Sequence, residues 1–250
     1  MTEQILNIKN LSFSYKRTDE AYSVGIDSLK LCAHDIVALT GVSGCGKSTM
    51  LECLGFLRDS MVFDEFSLCN TNIKDLSKKQ CELFRGAFIG YMPQTGGLLP
   101  YLSIKDNIDY KIDIASCSAR KLGFDFYDKA KLKKRADDLF SAFSLSSLLN
   151  RKPHELSIGQ RQRAVFVKTL CSNPKLVLID EPTSSLDPEH GDILFKMIVD
   201  YCKNLDMAAL IVTHDTKLVM SHGLRRLLYV RKTANSGSFC DGSDDFYSCI

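Results

Sequence analysis

Apolar and polar positions alternate from residue 5 to residue 15 (ILNIKNLSFSY), the period of a strand with one buried face. Residues 22–40 predict two further strands with a turn near His34-Asp35. Over 47–57 the apolar spacing becomes helical, with the helix starting at Lys47. A strand is predicted near 62–69 and a helix near 77–85. Between 98 and 150 the β-branched runs thin out, Ser and Lys multiply, and the spacing predicts helices over 103–117 and 129–149. This stretch reads as a helical insertion between two α/β halves. The chain then returns to helix (157–171), strand (175–180), helix (189–204), strand (208–213), helix (215–222) and strand (225–231). From Thr233 the Ser, Gly and Asp content predicts a disordered tail, and no internal repeat is visible.

Three short apolar runs stand apart: Ile36 to Leu39, Leu176 to Ile179 and Ala209 to Val212. Each is rich in β-branched or aliphatic residues and is soon followed by polar ones, the pattern of fully buried parallel strands. Open parallel sheets bind ligands beyond the carboxyl ends of their strands. There stand the Gly41 loop, Asp180-Glu181 and His214, so three chemical elements converge on one sheet edge.

Composition narrows the class without naming a partner. The 250 residues are 45% hydrophobic and 25% charged, and the net charge of +2 implies no polyanion. No apolar run reaches the roughly 18 residues of a membrane helix, and Met1 to Lys9 lacks the pattern of a secretory signal. A cytosolic protein is expected. The ten cysteines include no C-x-x-C pair, so they read as reduced, mostly buried small hydrophobes rather than metal ligands.

The loop Gly41-Val42-Ser43-Gly44-Cys45-Gly46-Lys47-Ser48 matches G-x-x-x-x-G-K-[ST]. Its glycines let main-chain N–H groups wrap a phosphate, and the helix that follows adds its positive end. Lys47 is placed to reach the β- and γ-phosphates, Ser48 to hold Mg²⁺ and Thr49 to touch the α-phosphate. Asp180 ends an apolar strand, the position of the metal-side carboxylate. Glu181 follows and can orient or deprotonate an attacking water. Cys45 lies inside the loop, so alkylating it is expected to crowd the phosphates.

Leu156-Ser157-Ile158-Gly159-Gln160, followed by Arg161-Gln162-Arg163, resembles the signature motif of ATP-binding cassette (ABC) ATPases. The resemblance runs from about Ile5 to Lys232. It takes in Tyr15 as an adenine-stacking aromatic, Gln94 in Tyr91-Met92-Pro93-Gln94, Ser184-Ser185-Leu186-Asp187, and His214 as the switch histidine. It implies an α/β fold of the P-loop NTPase class: an ABC-type nucleotide-binding domain with an antiparallel β subdomain and a helical insertion. The domain would span 1–232, with its helical subdomain at about 98–158 and the tail at 233–250. ATP and Mg²⁺ are the implied cofactors. Glu181, His214 and Gln94 are the implied catalytic residues, and Ser48, Gln94 and Asp180 the implied metal ligands. Tyr15, Gly41, Ser43 to Thr49, Ser157, Gly159, Gln160 and Asp187 are the implied nucleotide contacts.

Ser157 and Gly159 open a helix, whose N-terminus can bind a phosphate. The family resemblance implies that this phosphate is the γ-phosphate held by another copy's loop, in a head-to-tail dimer with two ATP molecules at the interface. One departure stands out, because the family's usual third residue is Gly and here it is Ile158. Isoleucine adopts positive φ poorly, so the change is mild only if that backbone stays helical.

What the ATPase drives is less legible. Gly96 to Ile108 resembles the LLP-x-L-[ST]-x-x-x-N-[IV] stretch of the lipoprotein-release and macrolide-exporter group, where it docks a permease. This implies a separate polytopic membrane permease, export or mechanotransmission, and a place on the inner face of the cytoplasmic membrane. The alternative is a soluble ABC ATPase acting on nucleic acid or ribosomes. That reading lacks the coiled-coil insertion, zinc modules or second cassette of such proteins, so no nucleic-acid partner is expected.

Overall fold

Every residue of the three apolar runs is buried, because each forms a strand covered on both faces. In a computed structural model, which describes residues 3–15, 22–124, 128–233 and 236–241, the strands are β1 (Gln4–Tyr15), β2 (Tyr22–Cys32), β3 (Ile36–Thr40), β4 (Glu65–Leu68), β5 (Thr71–Asn72), β6 (Ile89–Met92), β7 (Leu176–Asp180), β8 (Ala208–Val212), β9 (Arg225–Thr233) and β10 (Ser236–Asp241). They form one sheet in the order β5-β4-β1-β2-β10-β9-β3-β8-β7-β6. From β9 to β6 all neighbours are parallel, whereas β1 pairs antiparallel with β2 and β4. The helices are α1 (Lys47–Leu54), α2 (Lys78–Phe88), α3 (Ile104–Lys121), α4 (Lys129–Ala142), α5 (Ile158–Leu170), α6 (Pro188–Lys203) and α7 (Thr216–Ser221).

Strand alternation divides the apolar residues into two cores. Val37, Leu39, Leu176, Leu178 and Leu210 face α1, while Ala38, Val177, Ile179 and Ile211 face α5 and α6. Continuous apolar sequence is what a strand covered on both sides requires.

The tail departs from expectation. Ser236–Asp241 is a strand, paired parallel with β2 and antiparallel with β9, and Phe239 is fully buried. Tertiary pairing here overrides a composition that reads as disordered. Residues 242–250, the rest of the expected tail, lie outside the described residues. β6 was not foreseen, because four residues leading directly from the C-terminus of α2 carry no period of their own. The predicted helix over 129–149 stops at Ala142, where the chain turns through Ser144 at φ 54° and closes into a 3-10 turn at Ser146–Leu148.

The helical insertion is tied to the segment before it by Asn107. Its fully buried amide accepts from Leu99 N at 2.7 Å and donates to the carbonyls of Leu99 and Ser103 at 3.1 and 2.9 Å. Ser103 caps α3 by accepting from Asp106 N at 3.1 Å.

Candidate active site

The chain must leave β3 and enter α1 within a few residues, and glycine makes this possible. Gly44 and Gly46 stand at φ 79° and 99°. A Cβ on Gly46 would lie 2.8 Å from Val24 Cγ1, so both its backbone angle and the approach of β2 exclude a side chain. The loop curls around the Lys47 ammonium, which donates to the carbonyls of Gly41 and Val42 at 2.9 and 3.0 Å.

A cleft of about 550 Å³ opens over this loop. It gathers Ser43, Gly44, Gly46, Lys47, Ser48 and Thr49 with Tyr15 from β1, Gln94 from beyond β6, Glu181 from beyond β7 and His214 from beyond β8. Five separate stretches of sequence thus meet at one sheet edge. Tyr15 hydrogen-bonds the Thr49 hydroxyl. Its ring lies 5.2 Å from Phe13 and 6.5 Å from Tyr22, two aromatics the sequence did not single out. Phe13 shares Tyr15's face by strand period, which is the signal that could have found it.

Behind the cleft, Asp180 is 4% exposed and Glu181 7%. Burial pushes the Asp180 carboxyl up from its ordinary value, opposed by the Ser48 hydroxyl that donates to it and reinforced by the charges of Glu181 and Glu52. One Asp180 oxygen, Oδ1, is buried with no hydrogen-bond partner. An orphaned carboxylate oxygen beside a serine hydroxyl suits a hard cation that prefers oxygen ligands, and Gln94 adds a third oxygen at the cleft. The residues therefore fit Mg²⁺. Glu181 adopts φ 46°, rare for a residue with a Cβ, and its carboxylate lies 2.9 Å from His214 Nδ1.

Several of the other sequence-predicted residues lie elsewhere. Gly41 contributes only its carbonyl to Lys47. The Cys45 side chain is 4% exposed and packs into the core under α1, and burial raises its thiol pKa against the pull of Lys47. This corrects the expectation that alkylation there would crowd the phosphates, since the thiol faces away from the cleft. Ser157, Gly159, Gln160 and Asp187 do not line the cleft at all. Ser157 starts α5 in a reciprocal cap: Gln160 N donates to its Oγ at 3.2 Å, and its own N donates to Gln160 Oε1 at 3.0 Å. Ile158 occupies the first helical turn, outside the positive-φ residues and 54% exposed, so isoleucine is accommodated without strain. Asp187 caps α6 through His190 N at 3.1 Å. The two motifs touch each other, with Gln162 Nε2 donating to Ser185 Oγ at 3.2 Å.

Comparison with known proteins agrees with this geometry. Residues 25–184 match the family model described as ABC transporter. The lipoprotein-releasing system ATP-binding protein LolD of Acinetobacter baylyi is 33% identical over 194 residues, 78% of this chain and 81% of its own. A methionine import ATP-binding protein, MetN of Clostridioides difficile, is 30% identical over 86% of this chain and 62% of its own. Among solved structures, the dimeric bacterial ABC transporter cassette MJ0796 superposes with a TM-score of 0.73 at 26% identity, covering 90% of this chain and 94% of that one. Its post-hydrolysis dimer bound to ADP and Pi gives 0.72 at 27% over the same shares. A phosphate-wrapping loop, a paired carboxylate and histidine, and an extended match in sequence and fold lead to one conclusion: the chain belongs to the ABC transporter family and is an ATPase subunit of it.

Proposed function

We propose that two copies of this chain close head to tail on two ATP molecules and drive a separate polytopic membrane permease from its cytoplasmic face. The observation that carries this reading is the placement of the signature residues. Ser157 and Gly159 stand outside the chain's own nucleotide cleft. A Cβ on Gly159 would find its nearest neighbour, Leu186, at 3.8 Å, and its backbone needs no positive φ. The chain's own packing does not demand that glycine, so the close approach it permits is reserved for a group from outside.

In the proposed cycle Lys47 exchanges the Gly41 and Val42 carbonyls for the β- and γ-phosphates, and the loop amides hold the phosphate chain. Tyr15 packs against the base. Ser48, Asp180 and Gln94 would hold Mg²⁺, which would supply neutralisation of phosphate charge. Glu181 takes the proton of the attacking water, and His214 fixes the carboxylate from Nδ1. Ser157 and Gly159 of the second copy complete the γ-phosphate shell.

Export, as lipoprotein or peptide extrusion or as mechanotransmission, is the direction we favour. It is supported by the Leu98 to Ile108 segment, which Asn107 holds in one shape, and by likeness to the lipoprotein-releasing protein. Among the described residues no helix is long and apolar enough to cross a membrane. The test is detergent recovery of the Glu181→Gln variant with ATP and Mg²⁺. A stoichiometric multi-span membrane protein is expected. Recovery of a soluble dimer alone, or of nucleic-acid-bound proteins, overturns the permease reading in favour of a non-transport ATPase.

A further inference from the structure

Ile158 is an apolar side chain at a place where its own chain has no use for one. It stands between Ser157 and Gly159, and it is 54% exposed. Among the described residues it packs into neither hydrophobic core. The backbone does not ask for it either. Residue 158 is the first helical position of α5, and the Ser157–Gln160 cap holds that turn without help from the isoleucine. Alanine or a polar residue would serve the single chain better, since water gains nothing from a branched aliphatic group.

The apolar character continues past Gly159. A Cβ on that glycine would meet Leu186 Cδ2 at 3.8 Å, so half-buried Leu186 borders the turn on its other side. Gln162 Nε2, which donates to Ser185 Oγ at 3.2 Å, fixes the Leu186 segment against α5. Ile158 and Leu186 thus flank the polar opening made by Ser157 and Gly159.

The phosphate loop carries a matching feature. Val42 is 70% exposed, the most exposed large apolar side chain among the described residues. Its carbonyl accepts from Lys47 Nζ at 3.0 Å and from Cys45 N at 3.3 Å. These bonds fix its main chain while the isopropyl group stays in water. Single exposed apolar residues are common and need no partner. These two differ because of where they stand. Val42 adjoins Ser43, which lines the nucleotide cleft, and Ile158 adjoins both residues that the proposed dimer brings to the other copy's nucleotide.

We propose that Ile158 of one copy packs against Val42 of the other when two copies close on ATP. The inference rests on the head-to-tail reading above and adds a contact which that reading does not contain. If Ser157 and Gly159 reach the phosphate wrapped by the loop, the side chain between them comes within reach of the loop's start, since consecutive Cα atoms are only about 3.8 Å apart. Two-fold symmetry makes the contact twice. It forms only on closure, where it excludes water from the edge of the phosphate site and slows separation more than it speeds encounter. A glycine at residue 158 would supply none of this.

The test uses the Glu181→Gln chain, which keeps its ATP, and reads the dimer dissociation constant by sedimentation. Ile158→Ala and Val42→Ala should each raise that constant roughly a hundredfold, about tenfold for each of the two symmetric contacts. The double variant should be little weaker than either single one, because all three lose the same contact. ATP affinity of the single Ile158→Ala chain, measured at dilution, should equal the parent's, which shows that the variant folds. A chain carrying Ile158→Cys with Val42→Cys, treated with the thiol oxidant diamide, should form a disulfide between position 158 of one copy and position 42 of the other. That bond should need ATP and be located by mass spectrometry. An unchanged dissociation constant in Ile158→Ala, fully additive effects in the double variant, or disulfides that never join 42 to 158 overturn the contact while the dimer stands. If the Glu181→Gln chain stays single with ATP at every concentration, the head-to-tail reading itself falls, and this inference with it.

Discussion

Glu181 Oε2 and His214 Nδ1 stand 2.9 Å apart, yet the two side chains live in different surroundings: the carboxylate is 9% exposed and the imidazole 66%. The carboxylate is fixed at the end of a buried strand, while the histidine is free to respond to what enters the cleft. Glu181→Gln should therefore lower steady-state ATP hydrolysis by about 10²–10⁴-fold, the usual worth of a general base, with ATP still bound. Undiminished turnover in a phosphate-release assay would remove Glu181 from that role. Lys47→Ala, by contrast, should lose nucleotide binding itself, read by equilibrium binding of labelled ATP.

Asp180 gives a prediction of opposite sign for stability and activity. Its folded-state pKa is raised by burial. The stability linked to the protonated form is thus complete below the unfolded carboxyl value and is lost as pH rises through the folded one. Because burial disfavours the ionised form, Asp180→Asn should raise Tm relative to the parent at high pH, and the difference should shrink as pH falls. The same variant should abolish Mg²⁺-dependent hydrolysis. Thermal unfolding across pH, in the absence of nucleotide, separates the two effects.

Cysteine labelling checks the orientation of the phosphate loop. Among the described cysteines Cys117 is exposed and Cys45 buried, with its thiol pKa raised. A maleimide should modify Cys117 first and reach Cys45 only on unfolding, because reactivity follows thiolate and access. Rapid labelling of Cys45 in the native chain would contradict the packing described for α1.

The last described strand can be tested by cavity formation. Phe239 is fully buried between β9 and β2. Phe239→Ala should cost about 3–5 kcal/mol, measured by chemical denaturation. A change near zero would return these residues to the disordered tail their composition suggests.

The motifs were legible because their chemistry is local. Gly44, Gly46 and Lys47 must adjoin for a loop to wrap phosphate, and Asp180 must end a buried strand. What could not be read depends on partners distant in sequence. Ser236–Asp241 becomes a strand only because β2 and β9 leave a place between them. The inward turn of Cys45 is set by the core under α1 rather than by the loop. The positive φ of Glu181 follows from the bend after β7, where Glu181 N donates to Val212 O at 2.9 Å.

The reciprocal cap at Ser157 and Gln160 bears on how fast two copies can engage. Ser157 Oγ is used there as an acceptor, which leaves its own proton available to donate outward. Gln160 is meanwhile held by Ser157 N. The donor that the proposed dimer aims at the partner's phosphate is therefore already oriented in the single chain. Little conformational entropy remains to be lost at the moment of contact. On this geometry the association rate should follow diffusion and ATP occupancy rather than any slow ordering of the signature helix.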